Sequence, residues 1–278
     1  MKRILVPTDF SQRANNALKV AAQIAKKYDS EIYLLHLLEL PLQLIDPHNE
    51  GVGEDLPESL FFMKLAHKKF TETFDKMSYY LEGINVHETV EFNEAFEGIM
   101  DITKKYSCDM VVMGSNGADG LEEIFIGSNT EKVVRYSRIP VLVIKEEIPI
   151  FKLDSFVFVS NLTAPNRSAF KAALDFSEKF GVDLQLVYIN TPHKFKTTQE
   201  LNQRFESFTQ GIKFSEAHFH VYDDKTVEKG IRNAASRLDA DLIGIGTHGR
   251  KGISHFMSGS LAEDIINHIK KPVVTFKI

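Results

Sequence analysis

Short apolar runs alternate along the chain with stretches of helical spacing. Residues 4–7 form the first run. Ala17, Leu18, Ala21, Ala22, Ile24 and Ala25 then recur at the steps that put one apolar stripe on a helix over 15–27. Residues 32–38 predict a second buried strand, and a helix is expected from about 58 to 81. Strand-like 86–90, helical 95–106, strand 110–113, a short helix over 129–136 and a fifth strand over 141–144 complete the pattern. The same order repeats from Phe156 to Phe276. Runs that are apolar on both faces and separated by helices predict a parallel sheet covered on both sides. Right-handed crossovers make each copy a doubly wound, Rossmann-like α/β sandwich of five parallel strands. On the long helix of the first copy, Leu60, Phe61, Leu65, Phe70 and Phe74 are expected to lie mostly in the core.

The repetition extends to single positions. Asp109 and Asp241 are 132 residues apart (241 − 109), and the pairs Gly114/Gly246, Gly117/Gly249, Gly127/Gly259, Ser128/Ser260, Glu131/Glu263 and Pro140/Pro272 keep that offset. The starts of the copies correspond at an offset of 152 (156 − 4), which sets Ile4 to Ser11 against Phe156 to Thr163. Copy one therefore holds 20 extra residues (152 − 132), placed in the Pro-, Gly- and Asp-rich stretch 41–57. Two domains are expected, 1–147 and 152–278, with the junction near 146–152.

Composition narrows the classes. An apolar fraction of 43% and a charged fraction of 26% describe a soluble globular chain. A net charge of -5 with scattered basic residues argues against nucleic acid as a partner. The single cysteine, Cys108, excludes an internal disulfide and a cysteine zinc site, and is expected as a buried thiol. Met1-Lys2-Arg3 leads straight into Ile4 without an export-type apolar region, and no stretch reaches the roughly 18 apolar residues of a membrane span. A cytoplasmic protein with no membrane partner is expected.

Candidate chemistry gathers where such sheets bind ligands, beyond the carboxyl ends of the strands at the point where strand order reverses. After strand four, copy one reads Gly114-x2-Gly117-x9-Gly127-Ser128 and copy two reads Gly246-x2-Gly249-x9-Gly259-Ser260. Glycines admit a phosphate close to the backbone amides, and a Gly-Ser pair opening a helix offers free N–H groups to an anion. The plain alternative is a glycine-rich turn followed by a helix cap with no ligand. Identical spacing in two copies favours the phosphate site.

These loops, together with Pro7-Thr8-Asp9-Phe10-Ser11, the Leu34-Leu35-His36 run and the closing Pro-Val strands, resemble the universal stress protein family over nearly the whole chain, twice. The loop has the form associated with ATP-binding members. That resemblance implies ATP, or ADP or AMP, with or without Mg, held between the end of strand one and the glycine loop. It places Pro7, Thr8 and Asp9 near the nucleotide, with Asp9 within reach of a Mg ion. It gives Leu37 backbone contacts to adenine, and sets Met113, Gly114, Gly117, Gly127, Ser128, Asn129 and Thr130 around ribose and phosphates. The matching positions in copy two are Ile189, Ile245, Gly246, Gly249, Gly259, Ser260 and Leu261. His248 lies within the second loop, where it is either a phosphate contact or a plain loop histidine.

The copies depart from the pattern in different ways. Copy two has Asn161 where copy one has Asp9, which removes a carboxylate. Copy one follows Gly117 with the acidic stretch Ala118 to Glu123, whereas copy two places Arg250 and Lys251 there. Electrostatics thus favours triphosphate in copy two, with Arg250 a candidate contact, while the strand-one end favours copy one. Magnesium would offset the acidic loop, and copy one is read as the more complete site.

Other signals are set aside. Gly244-x-Gly246-x-x-Gly249 matches a dinucleotide fingerprint by letter but follows strand four instead of strand one. No Gly-x4-Gly-Lys-Ser/Thr loop exists. His218 and His220 are expected on one face of a strand, too few for a metal site. Ser128 and Ser260 have no recognisable base, so no catalytic residue is assigned. The leading expectation is a stress-linked regulatory protein that binds adenine nucleotide with little or no hydrolysis. A nucleotide-free module for an unknown protein partner is the alternative, and an enzyme of adenylate chemistry the remotest reading. The apolar fifth strands would be exposed edges unless covered. In the family such strands pair, which implies a pseudo-dimer within the chain and leaves a homodimer open.

Overall fold

The computed structural model describes residues 1–38, 56–115, 128–247 and 269–278, without the side chains of 56–58. The chain divides into two compact units: Met1–Gly114 with Glu146–Phe151, and Ser115–Lys145 with Lys152–Ile278.

The first unit is built from β1 (Arg3–Pro7), α1 (Gln12–Tyr28), β2 (Glu31–Leu38), α2 (Leu56–Leu81), β3 (Val86–Phe92), α3 (Ala95–Lys105) and β4 (Met110–Gly114). Its strands run in the order β3-β2-β1-β4, all parallel. Ile4, Leu5 and Val6 are wholly buried, because a strand at the centre of a covered sheet meets apolar neighbours on both faces. Helix α1 begins where the Ser11 side chain accepts a hydrogen bond from Ala14 N at 3.3 Å, and it ends at Asp29 in the left-handed region.

Helix α2 differs from expectation. Its core face is Ala66, Phe70, Thr73 and Met77, whereas Leu60, Phe61 and Leu65 are 51%, 63% and 44% exposed. The buried set follows four- and three-residue steps along one side of the helix. Phe61 sits on the opposite side and Leu65 on the flank.

The second unit contains α4 (Ser128–Tyr136), β5 (Val141–Ile144), β6 (Phe156–Val159), α5 (Asn166–Phe180), β7 (Leu184–Asn190), α6 (Thr198–Thr209), β8 (Phe219–Asp223), α7 (Val227–Arg237), β9 (Leu242–Thr247) and β10 (Val273–Lys277). The order is β5-β10-β9-β6-β7-β8. All neighbours are parallel except β5 and β10, which pair antiparallel with Val143 opposite Val273 and Val141 opposite Thr275. Each of these two fifth strands thus gives its apolar edge to the other. Phenylalanines fill this core: Phe156, Phe158, Phe170 and Phe276 are fully buried and their rings touch.

The copies also share small devices. Asp109 Oδ2 accepts from Lys2 N and Arg3 N at 2.6 and 3.0 Å, and Asp241 Oδ2 accepts from Asp154 N and Ser155 N at 2.8 and 3.1 Å. Each clamp ties the chain entering the first strand of a copy to the start of its fourth.

Candidate functional site

In both units the first strand lies between the second and the fourth, so the carboxyl ends of these three strands border the place where strand order reverses. The turn leaving the first strand is the same in both. In copy one, Thr8 N donates to Leu35 O at 2.7 Å, Phe10 N to Thr8 Oγ1 at 2.9 Å and Ser11 N to Asp9 Oδ1 at 2.9 Å. In copy two, Ser160 N donates to Val187 O at 3.0 Å, Leu162 N to Ser160 Oγ at 3.1 Å and Thr163 N to Asn161 Oδ1 at 3.1 Å. A hydroxyl followed by Asp or Asn folds the backbone onto its own side chains. The residue after the pair is driven to positive φ, +63° at Phe10 and +56° at Leu162.

The surroundings of the two turns differ. Asp9 is exposed, and its hydrogen bond to Ser11 N is the only one it makes among the described residues. Behind it, His36 Nδ1 donates to Thr8 O at 2.8 Å while the Phe10 ring packs 4.5 Å from the His36 ring and 5.1 Å from Phe70. In copy two, Asn161 Oδ1 also accepts from Thr163 Oγ1 at 2.7 Å and from Asn166 Nδ2 at 2.6 Å. One carbonyl oxygen then serves three donors, and Asn161 is half-buried.

The glycines ending the fourth strands have a packing reason for being glycine. A Cβ at Gly114 would stand 2.8 Å from the Arg13 carbonyl oxygen, and one at Gly246 would stand 2.7 Å from Asn166 Oδ1 and 2.8 Å from Ile278 Cδ1. Both lie against the first turn of the helix that follows the first strand. Gly244, the first letter of the apparent dinucleotide fingerprint, sits inside β9, where a Cβ would press 2.7 Å from the Phe156 ring. Leu37 and Ile189 are likewise equivalent. Their side chains lie directly over Gly98 and Gly230 in the first turns of α3 and α7, where a Cβ would overlap them. Packing occupies these side chains and leaves the main chain as what either residue can offer a ligand.

Of the residues named from the sequence, Pro7, Thr8, Asp9, Leu37, Met113 and Gly114 lie at the carboxyl edge of the first unit's sheet. Ile189, Ile245 and Gly246 lie at the same edge of the second unit's. Ser128, Asn129 and Thr130 form the first turn of α4, with Thr130 buried and the other two exposed. Gly117, Gly127, His248, Gly249, Arg250, Gly259, Ser260 and Leu261 lie outside the described residues. His218 and His220 do not share a strand face. His218 ends a short 3-10 turn (Glu216–His218), and His220 on β8 meets Gln185 Oε1 at 2.7 Å. Among the described residues no cluster of three or more His, Cys, Asp or Glu is placed to hold a metal, and no helix is long and apolar enough to cross a membrane.

Two features escaped the sequence reading. One is Asn166, whose signal was its pairing with Ala14 at the 152-residue offset (166 − 14). The other is a cavity of about 650 Å³ beyond β7 and β8, lined by Asn190, Pro192, Phe195, Asp223, Asp224 and Lys225. None of the residues named from the sequence lines it.

The architecture defines a class: an α/β protein carrying one doubly wound motif twice. The model of the universal stress protein family matches residues 1–145 and 157–277, and the chain belongs to that family. A universal stress protein of Methanocaldococcus jannaschii is 31% identical over 147 residues, covering 52% of this chain and 82% of its own length. One from a Synechocystis species is 23% identical over an alignment of 295 positions that spans 100% of both chains. The crystal structure of a universal stress protein from Archaeoglobus fulgidus superimposes with a TM-score of 0.73 at 21% identity, covering 99% of this chain and 98% of that one. Its likeness is one of fold.

Proposed function

We propose that this chain is a regulatory protein that binds an adenine nucleotide, ATP in the first instance, in its first copy. The observation that carries the reading is Asp9, an exposed carboxylate with an oxygen to spare, held by its own turn at the switch point just past the end of β1. A carboxylate there suits a ribose hydroxyl or a Mg ion riding on phosphates. The doubled Gly-x2-Gly-x9-Gly-Ser spacing supports the phosphate half of the site. Pro7, Thr8, Leu37, Met113, Gly117, Gly127, Ser128, Asn129 and Thr130 complete the proposed contacts. Hydrolysis is slow or absent and no catalytic residue is assigned. The repeats are read as 1–147 and 152–278, forming a pseudo-dimer through the β5–β10 ladder in a cytoplasmic protein. Titration with Mg-ATP tests this. Saturable binding that Asp9→Ala weakens at least tenfold supports it, and no binding at millimolar ATP refutes it.

A second reading, an interaction module that works without nucleotide, is favoured by one observation. The solvent face of α2 carries Phe61 and Leu65.

A further inference from the structure

We infer that Asn166 is an internal plug that closes the crevice of copy two, so that the chain binds one nucleotide and not two. The inference rests on the nucleotide reading of copy one and concerns the copy that reading leaves aside.

Asn166 opens α5 and is 7% exposed. Its amide nitrogen donates to Asn161 Oδ1 at 2.6 Å and to Thr163 Oγ1 at 3.2 Å, both in the turn after β6. Its amide oxygen lies over Gly246, at the end of β9. One side chain thus joins the two sides of the crevice, the strand-one turn and the strand-four end. Three donors already saturate Asn161 Oδ1, so a ligand entering there would have to displace at least the Asn166 amide before that oxygen could accept anything else. The displaced amide of Asn166 would then be left buried without these partners, a penalty that works against entry.

Copy one shares the turn bond, Ser11 N to Asp9 Oδ1, but has no side chain that bridges the crevice. The equivalent of Asn166 is Ala14, whose methyl group reaches neither Asp9 nor Gly114 as a hydrogen-bonding group, and the equivalent of Asn161 is Asp9, exposed with one oxygen unused. Gly114 is approached by the helix main chain at Arg13 instead. The two differences occur together: the copy without the carboxylate carries the amide that saturates Asn161.

Calorimetric titration of the full chain with Mg-ATP, counting sites, tests the plug. The wild type is expected to bind one nucleotide per chain, in a site that Asp9→Ala weakens at least tenfold. Asn161→Asp/Asn166→Ala, which gives copy two the residues of copy one, is expected to raise the count to two. Should that variant fail to fold, Ala14→Asn alone, which adds the plug to copy one and keeps Asp9, is expected to bring the count to zero while the melting transition survives. Two nucleotides on the wild type, or a count that neither variant changes, overturns the plug and leaves the nucleotide reading standing. No binding by the wild type or by Asn161→Asp/Asn166→Ala overturns the nucleotide reading, and the plug falls with it.

Discussion

Gly114 faces Arg13 so closely that a Cβ on the glycine would stand 2.8 Å from the arginine's carbonyl oxygen and 2.9 Å from its carbonyl carbon. The intruded atoms are backbone and belong to the first turn of α1, so they cannot swing aside as a side-chain tip would. Gly114→Ala is expected to cost about 1–3 kcal/mol of stability, the usual range for overpacking. Urea denaturation of the variant checks this. An unchanged midpoint would mean that the glycine serves a ligand alone.

The clamp from Asp241 makes a second prediction. Its Oδ2 holds two main-chain N–H groups at the entrance to β6, Asp154 N and Ser155 N. Asp241→Ala leaves both donors without their charged acceptor, and a loss of about 1–3 kcal/mol is expected. Asp109→Ala should do the same in the first unit, because Lys2 N and Arg3 N depend on it in the same way. Denaturation curves of the two variants, compared side by side, test whether the copies share the device.

The frame of this fold was legible because buried parallel strands are apolar on both faces. Residues such as Ile4–Val6 and Phe156–Val159 need no alternation to be recognised, and a constant offset shows a repeat even where few letters match. On helix α2 Phe70 lies in the core as expected, but the apolar richness of Leu60, Phe61 and Leu65 hides their angle around the axis. Ala66, Phe70, Thr73 and Met77 give the true core stripe. The switch-point turn was visible as Pro7-Thr8-Asp9, but its bonds were not. That Asn161 is saturated depends on Asn166, five residues away, bending back across the turn. The packing role of Gly114 and Gly246 was hidden as well, because a glycine-rich loop reads alike whether its glycines face a phosphate or a helix.

Cys108 is buried, and that burial, aided by the neighbouring Asp109 carboxylate, pushes its thiol up to about 11. At pH 8 only about one molecule in a thousand would carry the thiolate, which is the reactive form. Native protein is expected to give no reaction with a thiol reagent such as dithionitrobenzoate over minutes. Protein unfolded in guanidinium should titrate one thiol per chain, as the sequence requires. Rapid reaction of native protein would show that the strand end bearing Cys108 opens readily.

Burial, and after it the charge of His218, hold His220 below the usual value of 6.5. The sign follows from proton binding. Above the unfolded value both states are neutral at this residue and no difference arises. As pH falls through about 6.5 the unfolded chain takes up a proton that the folded chain resists, so stability declines until the lower folded value is passed. The melting temperature is therefore expected to fall between pH 7 and pH 5, and His220→Gln should flatten that part of the profile. Gln keeps a group able to bond Gln185 Oε1, the present partner of His220. A profile equally steep in the variant would place the effect in other groups.

Phe61 and Phe70 occupy opposite faces of α2, and their substitution should separate packing from surface function. Phe70 is 0% exposed and meets the Phe10 and Phe74 rings at 5.1 and 6.1 Å. Phe70→Ala is expected to cost about 3–5 kcal/mol, and its ring also supports Phe10 in the turn that carries Asp9. Weaker nucleotide binding should accompany that loss. Phe61 is 63% exposed, so Phe61→Ser should shift stability by no more than about 0.5 kcal/mol. If the solvent face of α2 receives a partner, Phe61→Ser/Leu65→Ser will lower self-association or partner capture while the Mg-ATP titration stays as in the wild type. A large loss of stability in that double variant would instead return these residues to the core, where the apolar richness of the helix first placed them.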